Sequence, residues 1–169
     1  MSGFLEWIKT FFEQLPVPLW LRVVVCAMIP MVEARYSILF FMDSGLEYWQ
    51  LFWLSVIGNM IPIPFIIYLF RPILSFLRKT KVFSSLARRL EERTMKKSTQ
   101  LQKYSSLGLL IFVSIPLPGT GAITGAMIAA LLNMREAYSL PALFFGTVTA
   151  TFLTTGAMTA ITQLFQFIF

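Results

Sequence analysis

The chain has 169 residues, of which 57% are hydrophobic and 13% charged, with a mean hydropathy of +0.73. Soluble domains run at roughly 45–50% apolar and about 25% charged, so these values exclude an ordinary water-soluble globular protein and indicate an integral membrane protein. There is no His, and the one Cys, Cys26, sits in the apolar run from Val23 to Met28; neither a disulfide framework nor a thiolate zinc cluster can be built, and no cofactor is implied.

The net charge of +6 is unevenly placed. Arg71, Arg78, Lys79, Lys81, Arg88, Arg89, Arg93, Lys96, Lys97 and Lys103 share one segment with only Glu91 and Glu92, giving it +8, while the rest of the chain carries −2. One basic loop between apolar halves is what the positive-inside rule predicts for a cytoplasmic loop of a multi-pass protein of the cell membrane. Nucleic acid is not an expected partner, because the loop offers only Phe83 and Tyr104 for base stacking.

In chain order, residues 1–17 place Phe4, Leu5, Ile8, Phe11, Phe12 and Leu15 at helical spacing opposite Glu6, Lys9, Thr10, Glu13 and Gln14, until Pro16 and Pro18 stop the helix. This predicts an interfacial amphipathic helix; it lacks the basic start and cleavage site of a signal peptide and is expected to be retained. Residues 18–70 form a first unit. Its apolar stretch Leu19 to Met42 is broken at Ile29-Pro30 and carries Glu33 and Arg35; Asp43-Ser44-Gly45 marks a turn; and Glu47 to Phe70 is a spanning helix whose centre, Gly58-Asn59-Met60-Ile61-Pro62-Ile63-Pro64, predicts a kink or unwound turn. Residues 71–104 are the basic loop, in which Phe83, Leu86 and Leu90 share a face. That pattern fits a short helix on an anionic leaflet or, equally, a solvated linker. Residues 105–169 form a second unit, an apolar stretch broken at Ile115-Pro116-Leu117-Pro118-Gly119-Thr120-Gly121 and then a final span from about Leu140, rich in Gly and Thr.

Aligning Ile29-Pro30 with Ile115-Pro116, an offset of 86, sets Glu33 opposite Gly119 and Arg35 opposite Gly121, and brings Gly58 and Gly146 within two positions of each other. Corresponding Pro/Gly-interrupted segments in two halves point to a transporter's central site. If each broken segment is a re-entrant hairpin, the halves are inverted; if each crosses fully, four spans result and the repeats are parallel. Hairpins are the better reading, because irregular backbone at membrane depth is tolerated where protein buries it or a wet cavity receives it. The expected fold is therefore all-α: an inverted repeat of a re-entrant hairpin plus a transmembrane helix, preceded by the amphipathic helix.

Glu33 and Arg35 are the sharpest chemical signal. A charge at bilayer depth costs about 2.5–3.5 kcal/mol on translocon scales, so an intramembrane pair is a functional candidate by default. Glu33 is read as a proton or ion carrier and Arg35 as the anchor of an anionic group; a structural salt bridge or snorkelling pair is the plainer alternative. On a regular helix the i, i+2 spacing would point the two apart, whereas a non-helical segment would let them converge. At the second break, Pro116 and Pro118 disfavour helix, while Gly119 and Gly121 permit positive φ and free backbone N–H groups. With Thr120 they are candidates for binding a phosphate-like group, against the alternative of a tight turn with close packing. Asn59 is a further candidate ligand, or else a simple interhelical hydrogen bond.

Glu33-x-Arg35 after Ile29-Pro30, Gly58-Asn59-Met60-Ile61-Pro62-x-Pro64 and Ile115-Pro116-Leu117-Pro118-Gly119-Thr120-Gly121-Ala122 together resemble the small multi-drug export protein family, which is similar to a distant branch of the DedA/VTT superfamily. Where such sequences carry a second Ile-Pro, this chain has Ile38-Leu39. The resemblance implies paired re-entrant hairpins in an inverted repeat and proton-dependent transport of a lipid phosphate or small amphipathic molecule. It also implies site residues at Glu33, Arg35, Pro116, Pro118, Gly119 and Gly121. The expected activity is secondary transport rather than catalysis, since no catalytic constellation is present. The alternative is a membrane scaffold that recruits a partner or anionic lipid through the basic loop. Two hairpins and two spans bury little surface, so a homo-oligomer, with a dimer favoured, is expected.

Overall fold

A computed structural model describes residues 7–8, 10–12, 14–78, 99–117 and 120–168. These residues hold no strand and form seven continuous helices: α1 Leu19–Ala27, α2 Glu33–Phe40, α3 Tyr48–Met60, α4 Pro62–Arg78, α5 Thr99–Ser114, α6 Ala122–Leu131 and α7 Glu136–Ile168. Ahead of them, the described residues between 7 and 14 are also helical. There Ile8 and Phe12 are buried one turn apart, while Trp7 and Phe11 stack 5.6 Å apart on the exposed side. The helix thus has two aromatic-bearing faces, and Phe11 falls on the outer one.

The contacts divide the chain into two compact units, residues 1–61 with 147–169, and residues 62–146. Both divisions fall inside long helices, at Ile61/Pro62 and at Gly146/Thr147.

In the first unit, α1 and α2 fold back on each other and pack together against α3. The break between them spans residues 28–32. Pro30 has no N–H to continue the ladder, and the Cys26 carbonyl takes its hydrogen bond from Ile29 instead, closing α1 with a tight turn. Ser37 Oγ donates to the Val23 carbonyl at 3.0 Å, although the two residues are 14 apart in sequence; on one continuous helix they would stand about 21 Å apart. The first broken segment is therefore a helical hairpin. α3 lies so close to it that a Cβ on Gly58 would strike the Val24 carbonyl of α1. The turn expected at Asp43-Ser44-Gly45 is present, with Gly45 at φ +88.

In the second unit, α5 and α6 form a corresponding hairpin, with α4 packed on α6. A Cβ on Gly125 would meet the Val113 side chain at 2.7 Å, and one on Gly146 would come within 3.1 Å of the Leu110 carbonyl. α6 ends where Asn133 adopts φ +50 and the Met134 N–H reaches back to the Ala129 carbonyl at 2.9 Å, the helix stop that Asn supports without a glycine. Arg71, near the middle of α4, donates to Glu136 Oε1 at 3.0 Å and to the Met134 carbonyl at 2.8 Å. The chain between residues 71 and 136 thus leaves and returns at the same end of this unit.

Two helical stretches are long and apolar enough to cross a membrane, Tyr48–Ile73 with 26 residues and Glu136–Ala157 with 22; at 1.5 Å per residue both exceed a hydrocarbon core of about 30 Å. The first continues across Ile61, whose backbone stays right-handed helical, so the Pro62/Pro64 centre produces a gap in hydrogen bonding rather than the unwound turn its sequence suggests. Exposure along it is inverted relative to a soluble helix. Phe65 is 71% and Tyr68 77% exposed, whereas Ser55 is 0% and Asn59 1% exposed, an arrangement suited to hydrocarbon outside and protein within. Helix also extends into both ends of the basic segment, to Arg78 through Pro72 and from Thr99 onward; the candidate short helix at Phe83, Leu86 and Leu90 lies outside the described residues. α7 begins at Glu136, ahead of the expected Leu140, because an acidic residue in the first turn suits the helix dipole and Pro141 costs only one nearby hydrogen bond.

Gly58→Ala is expected to lower stability by about 1–3 kcal/mol, because two backbones must separate to admit the methyl group. Gly108→Ala, with open space around it, should leave stability unchanged or slightly raised; thermal unfolding in mild detergent checks both.

Candidate functional site

Glu33 opens α2, directly after the break at Pro30, with φ +53. A left-handed backbone is uncommon for a residue with a Cβ and costs on the order of 1–3 kcal/mol, so it persists only where surrounding structure holds it. Here Val32 and Glu33 both donate to the Ile29 carbonyl, at 3.0 Å each, which ties the strained residue into the hairpin turn. The consequence is geometric. Glu33 and Arg35, which a regular helix would point apart, come within 3.7 Å between Oε2 and Nη2, with side chains 13% and 9% exposed. Convergence comes from one left-handed residue at the helix start, whereas a wholly non-helical segment was expected.

The pair is buried but not clasped. A bidentate Arg–carboxylate bridge closes to about 2.7–2.9 Å, so the 3.7 Å pair is an ion pair without a direct hydrogen bond between the two side chains. The same unit contains further buried polar atoms without a partner: Ser55 Oγ and Asn59 Oδ1 on α3, and Thr147 Oγ1 and Thr151 Oγ1 on α7. Ser55 and Asn59 are four residues apart, as are Thr147 and Thr151, so each pair occupies one helix face. Asn59 was legible in the sequence as a polar residue at mid-span. Ser55, Thr147 and Thr151 were not, since a lone hydroxyl in an apolar helix ordinarily bonds back to its own backbone; their i, i+4 spacing is the one signal available.

The second-hairpin candidates belong to the other unit. Pro116 is exposed, with the chain closing around it through a Leu117 N–H to Ile115 carbonyl bond of 2.8 Å. Thr120 Oγ1 lies 2.7 Å from the Ile115 carbonyl and 2.9 Å from that of Leu117, so its hydroxyl closes the tip of the hairpin. Gly121 is the extended N-cap of α6, at φ −80 and ψ −177. The positive φ that a glycine permits is not used there; its carbonyl accepts the Gly125 N–H at 2.9 Å and starts the helix. Pro118 and Gly119 lie outside the described residues. A shallow open cleft of about 210 Å³ in this unit is lined by residues that include Leu110, Tyr138, Pro141 and Phe145, and it holds none of the sequence-predicted site residues. No cluster of metal-ligating side chains is found among the described residues.

Removing one partner of a buried ion pair costs about 3–5 kcal/mol because the other charge is stranded. Glu33→Gln and Arg35→Gln should each destabilise the protein strongly, and the double variant by clearly less than the sum; a double-mutant cycle on thermal unfolding reads the difference.

No curated protein and no solved structure matches this chain. Residues 33–153, well over half of the chain, match the family described as "Putative small multi-drug export protein". The matched region opens on Glu33, directly after the first break, and takes in the second break together with the first span and most of the second. With two apolar helices long enough to span a bilayer, the chain is a membrane protein that belongs to the small multi-drug export protein family.

Proposed function

We propose that the protein is a multi-pass exporter or lipid translocase of the cytoplasmic membrane, in which Glu33 carries the coupling proton and Arg35 binds an anionic group of the transported molecule. The observation that carries this reading is the strained, loosely closed Glu33–Arg35 pair at 3.7 Å in the break of an apolar hairpin. Strain of this kind is retained where a site needs its geometry, and an intramembrane ionisable pair marks a transport pathway more often than a structural bridge. A guanidinium suits a phosphate headgroup, so the proposed substrates are anionic lipids or small amphipathic molecules. The residues from Pro116 to Gly121 are proposed as a substrate contact in their own right.

Re-entrant hairpins are part of the proposal. Ser37 bonding to Val23, and Arg71 to Glu136, support hairpins that return to the side they entered, since a fully crossing second segment would put residues 71 and 136 on opposite membrane faces. The inverted repeat draws support from the two glycines: Gly58 abuts the Val24 carbonyl and Gly146 approaches the Leu110 carbonyl, and residues 24 and 110 are related by the offset of 86 that aligns the prolines. Kinship with DedA-type proteins, the cytoplasmic placing of the 71–104 segment and a homodimer formed through the exposed Phe152–Gly156 face of α7 belong to the same reading.

The test uses proteoliposomes under an imposed pH gradient, following a headgroup-labelled anionic lipid. Wild type should move the label only with the gradient. Glu33→Gln, verified as folded by gel filtration, should lose at least about tenfold in rate, equivalent to about 1.4 kcal/mol; equal rates for the two proteins would overturn the reading.

A further inference from the structure

Four hydroxyls on the helices α5 and α7 bond back to their own backbone. Ser114 donates to the Leu110 carbonyl at 2.8 Å, Thr154 to Ala150 at 2.8 Å, Thr155 to Thr151 at 2.8 Å and Thr159 to Thr155 at 3.0 Å, each one turn back. Ser55 makes no such bond. Its Oγ and the Oδ1 of Asn59 are buried without a partner, in residues that are 0% and 1% exposed. They lie one turn apart on α3, the helix that packs with the hairpin α1/α2.

Two backbone carbonyls at this end of α3 lack their helical donor. Pro62 has no N–H to give the Gly58 carbonyl, and Pro64 none to give that of Met60. The C-terminal, electronegative end of α3 therefore lies beside Asn59. Across from Gly58 stands the Val24 carbonyl, close enough that no Cβ could intervene. An amide oxygen, a hydroxyl and backbone carbonyls at a proline-interrupted helix end call for a positive occupant. Because these oxygens are all neutral, a monovalent ion fits them better than a divalent one, which needs carboxylates.

We infer that Ser55 and Asn59 form a binding site for a dehydrated alkali cation, sodium in the first instance, at the C-terminal end of α3. Binding alone is tested, so its failure would leave the Glu33 transport reading standing. The full-length protein in detergent is unfolded thermally in NaCl, KCl and choline chloride at matched ionic strength. The melting temperature should rise saturably with sodium over choline, as for any ligand that binds the native state. Ser55→Ala should weaken the apparent sodium affinity about tenfold. Asn59→Leu should melt as high as wild type or higher in choline, because an apolar group of similar size replaces an unpaired one, and should no longer respond to sodium. Identical melting in all three salts would overturn the site and leave water as the occupant of these oxygens. A sodium response that survives in both Ser55→Ala and Asn59→Leu would overturn it as well.

Discussion

Within hydrocarbon no water is present to complete a backbone hydrogen bond, so every N–H and C=O that the chain breaks loose must be met by the protein itself. Each proline at depth opens such a gap, and the structure handles the gaps in two ways. Around Pro30 and Pro116 the chain turns back and becomes a helical hairpin, whose turn carbonyls are taken up locally, by Ile29 and Glu33 in the first and by Leu117 and Thr120 in the second. At Pro62 the helical backbone instead continues through Ile61, which stays right-handed. The difference follows from what flanks the proline: charged and glycine-rich stretches after Pro30 and Pro116, uninterrupted apolar residues after Pro62.

Close packing follows from the same constraint. Helices gain little from burying apolar surface when lipid is equally apolar, so they must approach closely to gain dispersion contacts. Glycine makes that possible at Gly58 against Val24 and at Gly125 and Gly146 against Val113. In each unit a hairpin is held by contact with a long helix at a glycine, which fixes the hairpin break rigidly enough to hold Glu33 in a left-handed backbone. Polar side chains are turned inward by the same logic, and those left without a partner are where a ligand has the most to gain.

Much of this was legible beforehand because proline and charge are conspicuous in an apolar chain. The breaks at 28–32 and 115–121, the turn at Gly45 and the Glu33–Arg35 pair fall where the sequence marks them. Helix extents were less legible. A proline inside a helix removes one hydrogen bond without necessarily stopping it, so α4 passes Pro72 in its middle and α7 contains Pro141 near its start. Backbone handedness was not legible either: the glycines of the second break permit a left-handed backbone, yet Gly121 is extended and Glu33 takes that conformation, because hairpin closure imposes it and no residue preference announces it. The buried hydroxyls at Ser55, Thr147 and Thr151 give no local signal, since their distinction is the bond they fail to make.

The proposed transport architecture requires the second hairpin to return to the face it left, a reading that the Arg71–Glu136 contact supports. Single cysteines at Arg135, Lys81 and Asp43 would be labelled with a membrane-impermeant maleimide in intact cells and in inverted vesicles; the native Cys26 is fully buried and stays silent. Labelling of Arg135→Cys from the same side as Lys81→Cys, and from the side opposite Asp43→Cys, is the predicted result. If Arg135→Cys labels together with Asp43→Cys, the second broken segment crosses the membrane, and the proposed inverted repeat of re-entrant hairpins is contradicted.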